Sequence, residues 1–182
     1  MEAFQPGGRA PAPAPLDLVQ DFVNTEIPDW NRDDISTPAE LRVWLRARGL
    51  SAGDEVDAEL YVAARALRSA LRELALANTL GEQPGAARRG VLDAALGAFP
   101  VVLRTSDEGP TTRADGLAAV VAAVAAGRAD GTWERLKACR QETCGWLFYD
   151  ASRNRSSSWC SMQICGSREK QRAYRRRRGA DT

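Results

Sequence analysis

The sequence predicts a mainly α-helical protein with minor β elements, followed at its carboxyl end by a small four-cysteine metal module. Three observations carry this. Apolar residues recur at helical spacing through most of residues 37–130, and all four cysteines fall within residues 139–165. Charge divides at the same place: residues 1–138 have a net charge of −5 and residues 139–182 of +6. With 182 residues and 44% hydrophobic content, the chain can bury a core in one ordinary domain and still carry a small module.

Residues 1–15, MEAFQPGGRAPAPAP, are rich in Pro, Ala and Gly and read as a disordered leader. They lack the basic and apolar regions of a signal peptide, and no run of 18 apolar residues occurs anywhere, so the expectation is a cytoplasmic protein with no membrane partner. Leu16, Val19, Phe22 and Val23 in LDLVQDFVNTEI fit either a helix or a buried strand. Thr37, Pro38 and Glu40 form a capping box with proline at the first helical position, Leu41, Trp44 and Leu45 mark one apolar face, and Gly49 is the stop. A second helix is expected with Ser51 as its cap and an apolar stripe of Val56, Leu60, Ala64, Leu67, Leu71 and Leu74; Arg65, Arg68, Arg72 and Glu73 occupy its other face. A shorter helix over Ala86–Phe99, a strand in FPVVLRTSD ending at the turn residues Asp107 to Pro110, and a buried alanine-rich helix in GLAAVVAAVAAG complete the body. TWERLKAC then leads amphipathically into the module. The apolar stripes are complete before Cys139, so residues 16–138 are expected to fold without residues 139–182.

The cysteines are spaced C-x4-C, fifteen residues, C-x4-C: Cys139, Cys144, Cys160 and Cys165. Without an export signal, paired thiols point to a metal rather than to a disulfide framework. The chain has no histidine, so a tetrahedral site has to use all four cysteines. Zinc is the default occupant; iron is chemically open, and four free or redox-paired thiols are the alternative. Gly145 after Cys144 allows a tight turn beneath the metal, Trp146 to Tyr149 read as an aromatic strand in a zinc-knuckle hairpin, and DASRNRSSS is a polar turn. Cys160 and Cys165 open a C-terminal helix, where seven of the eleven residues from Arg168 to Arg178 are basic.

The run C-x4-C-G-W-L-F-x-D-x-S-x-N-R, followed by W-C-S-M-x-x-C-G-S-R-x-K-x-R-x-Y-R-x-R, resembles the CGNR zinc finger, a treble-clef-type module at the carboxyl end of bacterial proteins. Those proteins carry a largely helical ABATE domain ahead of the finger, and DFVNT, Asp21 to Thr25, is similar to a segment near that domain's start. Behind the leader at 1–15, the resemblance implies an ABATE-like domain at 16–138 and a zinc finger at 139–182, with zinc on the four cysteines and DNA on the helix beyond. Gly166 and Arg168 match the signature. Ser167 stands where the family has asparagine; it keeps a hydroxyl for nearby backbone but loses the amide's reach.

At about 100° per residue, Arg168, Arg172 and Arg176 lie within roughly 60° of Cys165, where they are expected to support the metal site by offsetting thiolate charge. Lys170, Tyr174, Arg177 and Arg178 lie roughly 120° or more away and are expected to meet nucleic acid, with Arg153 and Arg155 of the polar turn widening that surface. No G-x-G-x-x-G, P-loop, His-containing triad or nucleophile elbow occurs, and the chain is read as a non-enzyme. On the resemblance and the charge division together, the expected function is that of a DNA-binding transcription regulator with a sensing or dimerising helical domain, duplex DNA as its partner, and room for a small-molecule signal and a homodimer. A zinc-stapled protein- or RNA-interaction module without sequence-specific DNA binding is the second reading, and an enzyme or thiol redox switch the third.

Overall fold

Helix α1 spans Leu16–Val23 and resolves the ambiguity of that segment: Leu16, Val19, Gln20, Phe22 and Val23 are all buried, on a face too wide for a strand's alternation. The computed structural model describes residues 5–50, 55–107 and 109–180. A two-residue hairpin follows α1, with β1 (Glu26–Ile27) antiparallel to β2 (Arg32–Asp33). Helix α2 (Pro38–Ala47) starts at the foreseen capping box: the Glu40 N–H donates to Thr37 Oγ1 at 3.2 Å, and the Thr37 N–H donates to Glu40 Oε2 at 2.9 Å.

Helix α3 (Ala58–Leu80) is the spine. Its cap is Asp57, whose carboxylate accepts from the Leu60 N–H at 2.7 Å; Ser51, the expected cap, lies outside the described residues. Helix α4 (Ala86–Gly97) packs on α3. The expected strand is β3 (Val102–Ser106), but Gly109 and Pro110 belong to a partner strand, β4 (Gly109–Arg113), that the turn residues concealed. Helix α5 (Ala118–Asp130) packs against α1. The segment expected to run amphipathically into the module is instead a single tight turn, Trp133–Arg135, and a buried strand, β5 (Leu136–Ala138). Strand β6 (Leu147–Tyr149) is antiparallel to β5, and helix α6 (Ser167–Ala180) ends the described chain. No helix among the described residues is long and apolar enough to cross a membrane.

One apolar core joins α1, α2, α3 and α5 through Phe22, Leu41, Trp44, Leu67, Leu71 and Val120. Full burial of each large side chain contributes roughly 1.5–3 kcal/mol. The Phe22 and Trp44 rings meet at 5.4 Å in a tilted arrangement. Leu136, Ala138 and Leu147 belong to this same core, so β6 completes the body from beyond the boundary expected at Cys139.

The stretch expected as a disordered leader is packed from residue 5. Pro6 and Ala12 are buried, and the Ala12 N–H donates to Gln20 Oε1 at 2.7 Å. Arg9 spans to the cysteine module, donating to the carbonyls of Cys160 at 2.8 Å and Trp159 at 3.0 Å while its guanidinium covers the Phe148 ring. A composition poor in large apolar groups forms no core of its own, but here it lies on a surface that others have built. Arg68 is a second correction. Placed on the polar face of its helix by spacing, it is 1% exposed because the β1–β2 hairpin covers that face.

Candidate metal centre and basic helix

Strands β5 and β6 are joined by a knuckle that carries the first two cysteines. The Cys139 N–H donates to the Trp146 carbonyl at 2.8 Å and the Cys144 N–H to the Gln141 carbonyl at 2.9 Å. Gly145 closes the turn at φ +59°, and a Cβ there would lie 3.1 Å from the Arg72 side chain. The second pair sits where the chain returns: Cys160 precedes a π-helical turn, Met162–Gly166, in which Ser161 accepts from the Ile164 N–H and Cys165 is the fourth residue. Helix α6 continues that turn without a break. Buried Gly166 packs against Met162 and Trp159. Ser167 donates from its hydroxyl to the Met162 carbonyl at 3.1 Å, the local backbone bond that serine can supply where the family has asparagine.

The four sulfur atoms lie within 4.8 Å of one another and every cysteine is buried. Cys144 Sγ is 3.7 Å from Cys160 Sγ, which is 3.6 Å from Cys165 Sγ. Disulfide bonds require about 2.05 Å, whereas four sulfurs about 2.3 Å from a central zinc stand about 3.8 Å apart. The donor set therefore fits a four-thiolate metal site. Thiol hydrogen bonds from Cys144 and Cys160, joined by the N–H groups of Cys160 and Gln141, pull the Cys139 thiol far down. Those same hydrogen bonds, with burial and the Cys139 charge behind them, hold Cys144 and Cys160 up, and burial holds up Cys165. Four thiols this close cannot all ionise without a cation between them.

Arg168 and Arg172 do face the module, but they bind polar neighbours of the cysteines: Arg168 pairs with Asp29, and Arg172 Nη1 donates to Gln141 Oε1 at 3.1 Å. Asp29 raises the Arg168 pKa most, with Cys165 and Cys144 adding to the effect. Arg176, assigned to the metal side by angle, pairs instead with Glu169 of its own helix at 2.7 Å. Lys170, Tyr174, Arg177 and Arg178 are all exposed. Arg178 lies over the Tyr174 ring, and Lys170, Arg175 and Arg177 make no ion pair among the described residues. Arg153 and Arg155 are exposed in the polar turn, where Arg155 takes a left-handed conformation at φ +51° and its carbonyl accepts from Lys137.

Residues 16–132 match the ABATE family, described as "Putative stress-induced transcription regulator", and residues 135–178 match the CGNR zinc finger. The chain belongs to the ABATE family and ends in a CGNR zinc finger. No curated protein matches it. The finger match begins at residue 135, ahead of the boundary expected at Cys139, and so includes β5, the strand on which the knuckle hangs.

The ABATE domain supplies much of the frame around the finger, and spacing in the cysteine region alone gave no sign of it. Ile27 is buried among the four cysteines with Trp146 and Phe148. Trp30 meets Trp146 at 5.7 Å, and Thr143 Oγ1 donates to Asp29 Oδ1 at 3.1 Å. Arg72 ties the two regions together: it pairs with Glu26 at 2.7 Å and donates to the carbonyls of Val23 and Glu26 at 2.9 Å and of Gly145 at 3.2 Å. Beside it, Arg68 holds Asp33 with two bonds of 2.7 and 2.8 Å and also reaches Thr25. Burial works against the Asp33 charge, but the Arg68 guanidinium outweighs it and lowers the pKa. DFVNT thereby gains a structural meaning: its last residues, Asn24 and Thr25, contact the knuckle strand and α3. The one signal available was the resemblance of DFVNT itself.

Proposed function

We propose that the protein is a DNA-binding transcription regulator in which Cys139, Cys144, Cys160 and Cys165 hold one structural zinc ion and α6 meets duplex DNA. The carrying observation is the continuity of the buried thiol cluster with a helix that presents Lys170, Arg175 and Arg177 outward without ion pairs among the described residues. Zinc, when bound, supplies a closed cross-link with no coordination position left for a substrate. The chain's own residues do the rest. Ile27, Trp146 and Phe148 keep water from the thiols, Arg168 and Arg172 brace α6 against the knuckle and Asp29, and the outward basic side chains are available to phosphates.

The ABATE domain is the sensing or dimerising part. A groove of ≈ 420 Å³ between α3 and α4, lined by Ala63, Ala70, Leu92 and Ala95, supports that role. Four reduced thiols suit the cytoplasm, and the reading is of a regulator rather than a catalyst. Selection of bound fragments from a random duplex DNA pool by the zinc-loaded protein tests the function. One enriched sequence is the expected result. Binding to single-stranded RNA in preference to any duplex, or no nucleic-acid binding at low salt, would replace the regulator with an interaction module stapled by zinc.

A further inference from the structure

The polar turn between β6 and Cys160 was read from sequence as a simple return of the chain, but its packing builds a groove. Asp150 is fully buried at its start and binds four groups of the turn: the N–H and Oγ of Ser152 at 3.1 and 2.6 Å, and the N–H and Oγ of Ser157 at 2.9 Å each. Lys137, also buried, pairs with Asp150 at 3.0 Å and donates to the carbonyls of Arg155 and Ser157. Burial opposes the Asp150 charge, but Ser152, Lys137 and Ser157 together hold its carboxyl well below the usual carboxylate range. The turn is thus fixed from beneath, a shape set before any ligand arrives.

Its outer side, with Arg9 and the start of the π-helical turn, encloses ≈ 390 Å³, within the range of small-molecule clefts. One part of the lining is cationic and polar: Arg9, Arg153, Asn154, Ser156 and Ser158. No carboxylate lines it, and neither arginine has an ion pair among the described residues. The other part is Trp159, half-buried, and Met162, 53% exposed. Positive charge and hydroxyls at one side of an aromatic surface match a phosphate joined to a flat, weakly polar ring.

We propose that this groove binds a single nucleotide, with the phosphate at Arg153 and Arg9 and the base across Trp159 and Met162. The proposal goes beyond duplex recognition by α6, because paired and stacked bases offer no free face to Trp159. The same chemistry is presented by a free mononucleotide and by an unpaired nucleotide of a strand. Adenosine 5′-monophosphate serves as one probe; a blunt hairpin duplex, compared with the same hairpin bearing a three-nucleotide single-stranded extension, serves as the other.

Both are titrated against the full-length zinc-loaded protein and against Arg153→Ala with Ser156→Ala, two exposed side chains that neither hold the metal nor anchor the turn. Saturable binding of the monophosphate, or roughly tenfold tighter binding of the extended hairpin than of the blunt one, is expected, and either gain should disappear in the double variant while its zinc content stays unchanged and its blunt-duplex affinity falls by no more than the share of the one phosphate contact that Arg153 adds to the duplex surface. A gain with the monophosphate alone identifies a free nucleotide as the ligand; a gain with the extension alone identifies a strand. Absence of both gains, or a gain that the double variant retains, overturns the groove. Loss of blunt-duplex binding by the wild-type protein overturns the regulator reading instead, and leaves the monophosphate result to decide the groove.

Discussion

The Asn24 side chain pairs with both backbone groups of Leu147: Nδ2 donates to the Leu147 carbonyl at 2.9 Å, and Oδ1 accepts from the Leu147 N–H at 2.8 Å. An amide at the end of α1 thus acts as a short neighbouring strand for β6, which has β5 on its other edge. The metal-bearing hairpin is held at this point by a side chain more than a hundred residues earlier in sequence.

Replacing Asn24 with alanine leaves the Leu147 N–H without that acceptor, and Gln20 covers only the carbonyl. A buried donor left unmatched costs about 1–3 kcal/mol. Urea unfolding of Asn24→Ala should show a loss of that size with zinc stoichiometry intact. An unchanged midpoint would mean that this amide pairing is not holding the hairpin.

Residues 5–138 should not reproduce the stability of the whole chain. The expectation that the body is self-sufficient overlooked Leu147, which is buried in the body's core, and the partners of Asn24 and Arg72 at Leu147 and Gly145. Thermal melting of this fragment is expected to be broad and well below that of the full chain; an equally sharp transition at the same temperature would restore an independent helical domain.

Purified protein should contain one zinc per chain, and Cys160→Ser should lose it, because a three-thiolate remnant of a closed site binds far more weakly. Metal analysis reads both. Full retention of zinc in the variant, or iron equal in amount to the protein, would refute the assignment.

Alanine at Lys170, Arg177 and Arg178 together should weaken duplex DNA binding and reduce the magnitude of the log-affinity slope against log salt by up to about 0.9 per lost phosphate contact. The matched control is Arg168→Ala with Arg172→Ala, since Arg168 and Arg172, not Arg176, face the knuckle. It should loosen α6 and lower zinc affinity. If the outward triple keeps the wild-type slope while the inward pair abolishes binding with zinc retained, the roles of the two faces are reversed.

Asp150→Asn removes one member of a buried ion pair and should destabilise the protein by about 3–5 kcal/mol at neutral pH. The Asp150 carboxyl has a folded pKa below its unfolded one, so its contribution is complete above the unfolded value of about 3.9 and is lost as pH falls towards the folded value. The gap between wild type and variant should therefore narrow below about pH 4. Denaturant titrations at several pH values measure it, and a gap constant down to pH 2 would contradict the linkage.

Local signals in the sequence were enough to place α2 and its capping box, the alanine-rich α5 and the four ligand cysteines, because capping, helical periodicity and thiol spacing are short-range properties that a few neighbouring residues specify. They also placed the start of the C-terminal helix beside Cys165. The tertiary structure alone decided that Arg68 is buried and Arg72 half-buried, that Leu147 belongs to the body's core, that Ala12 fastens the first described residues to the body and Arg9 fastens them to the finger, and that Arg176 turns to Glu169. Each of these depends on a surface formed by residues distant in the chain. Whether a guanidinium is solvated or buried is set by the hairpin that happens to cover it, and no periodicity within one helix carries that information.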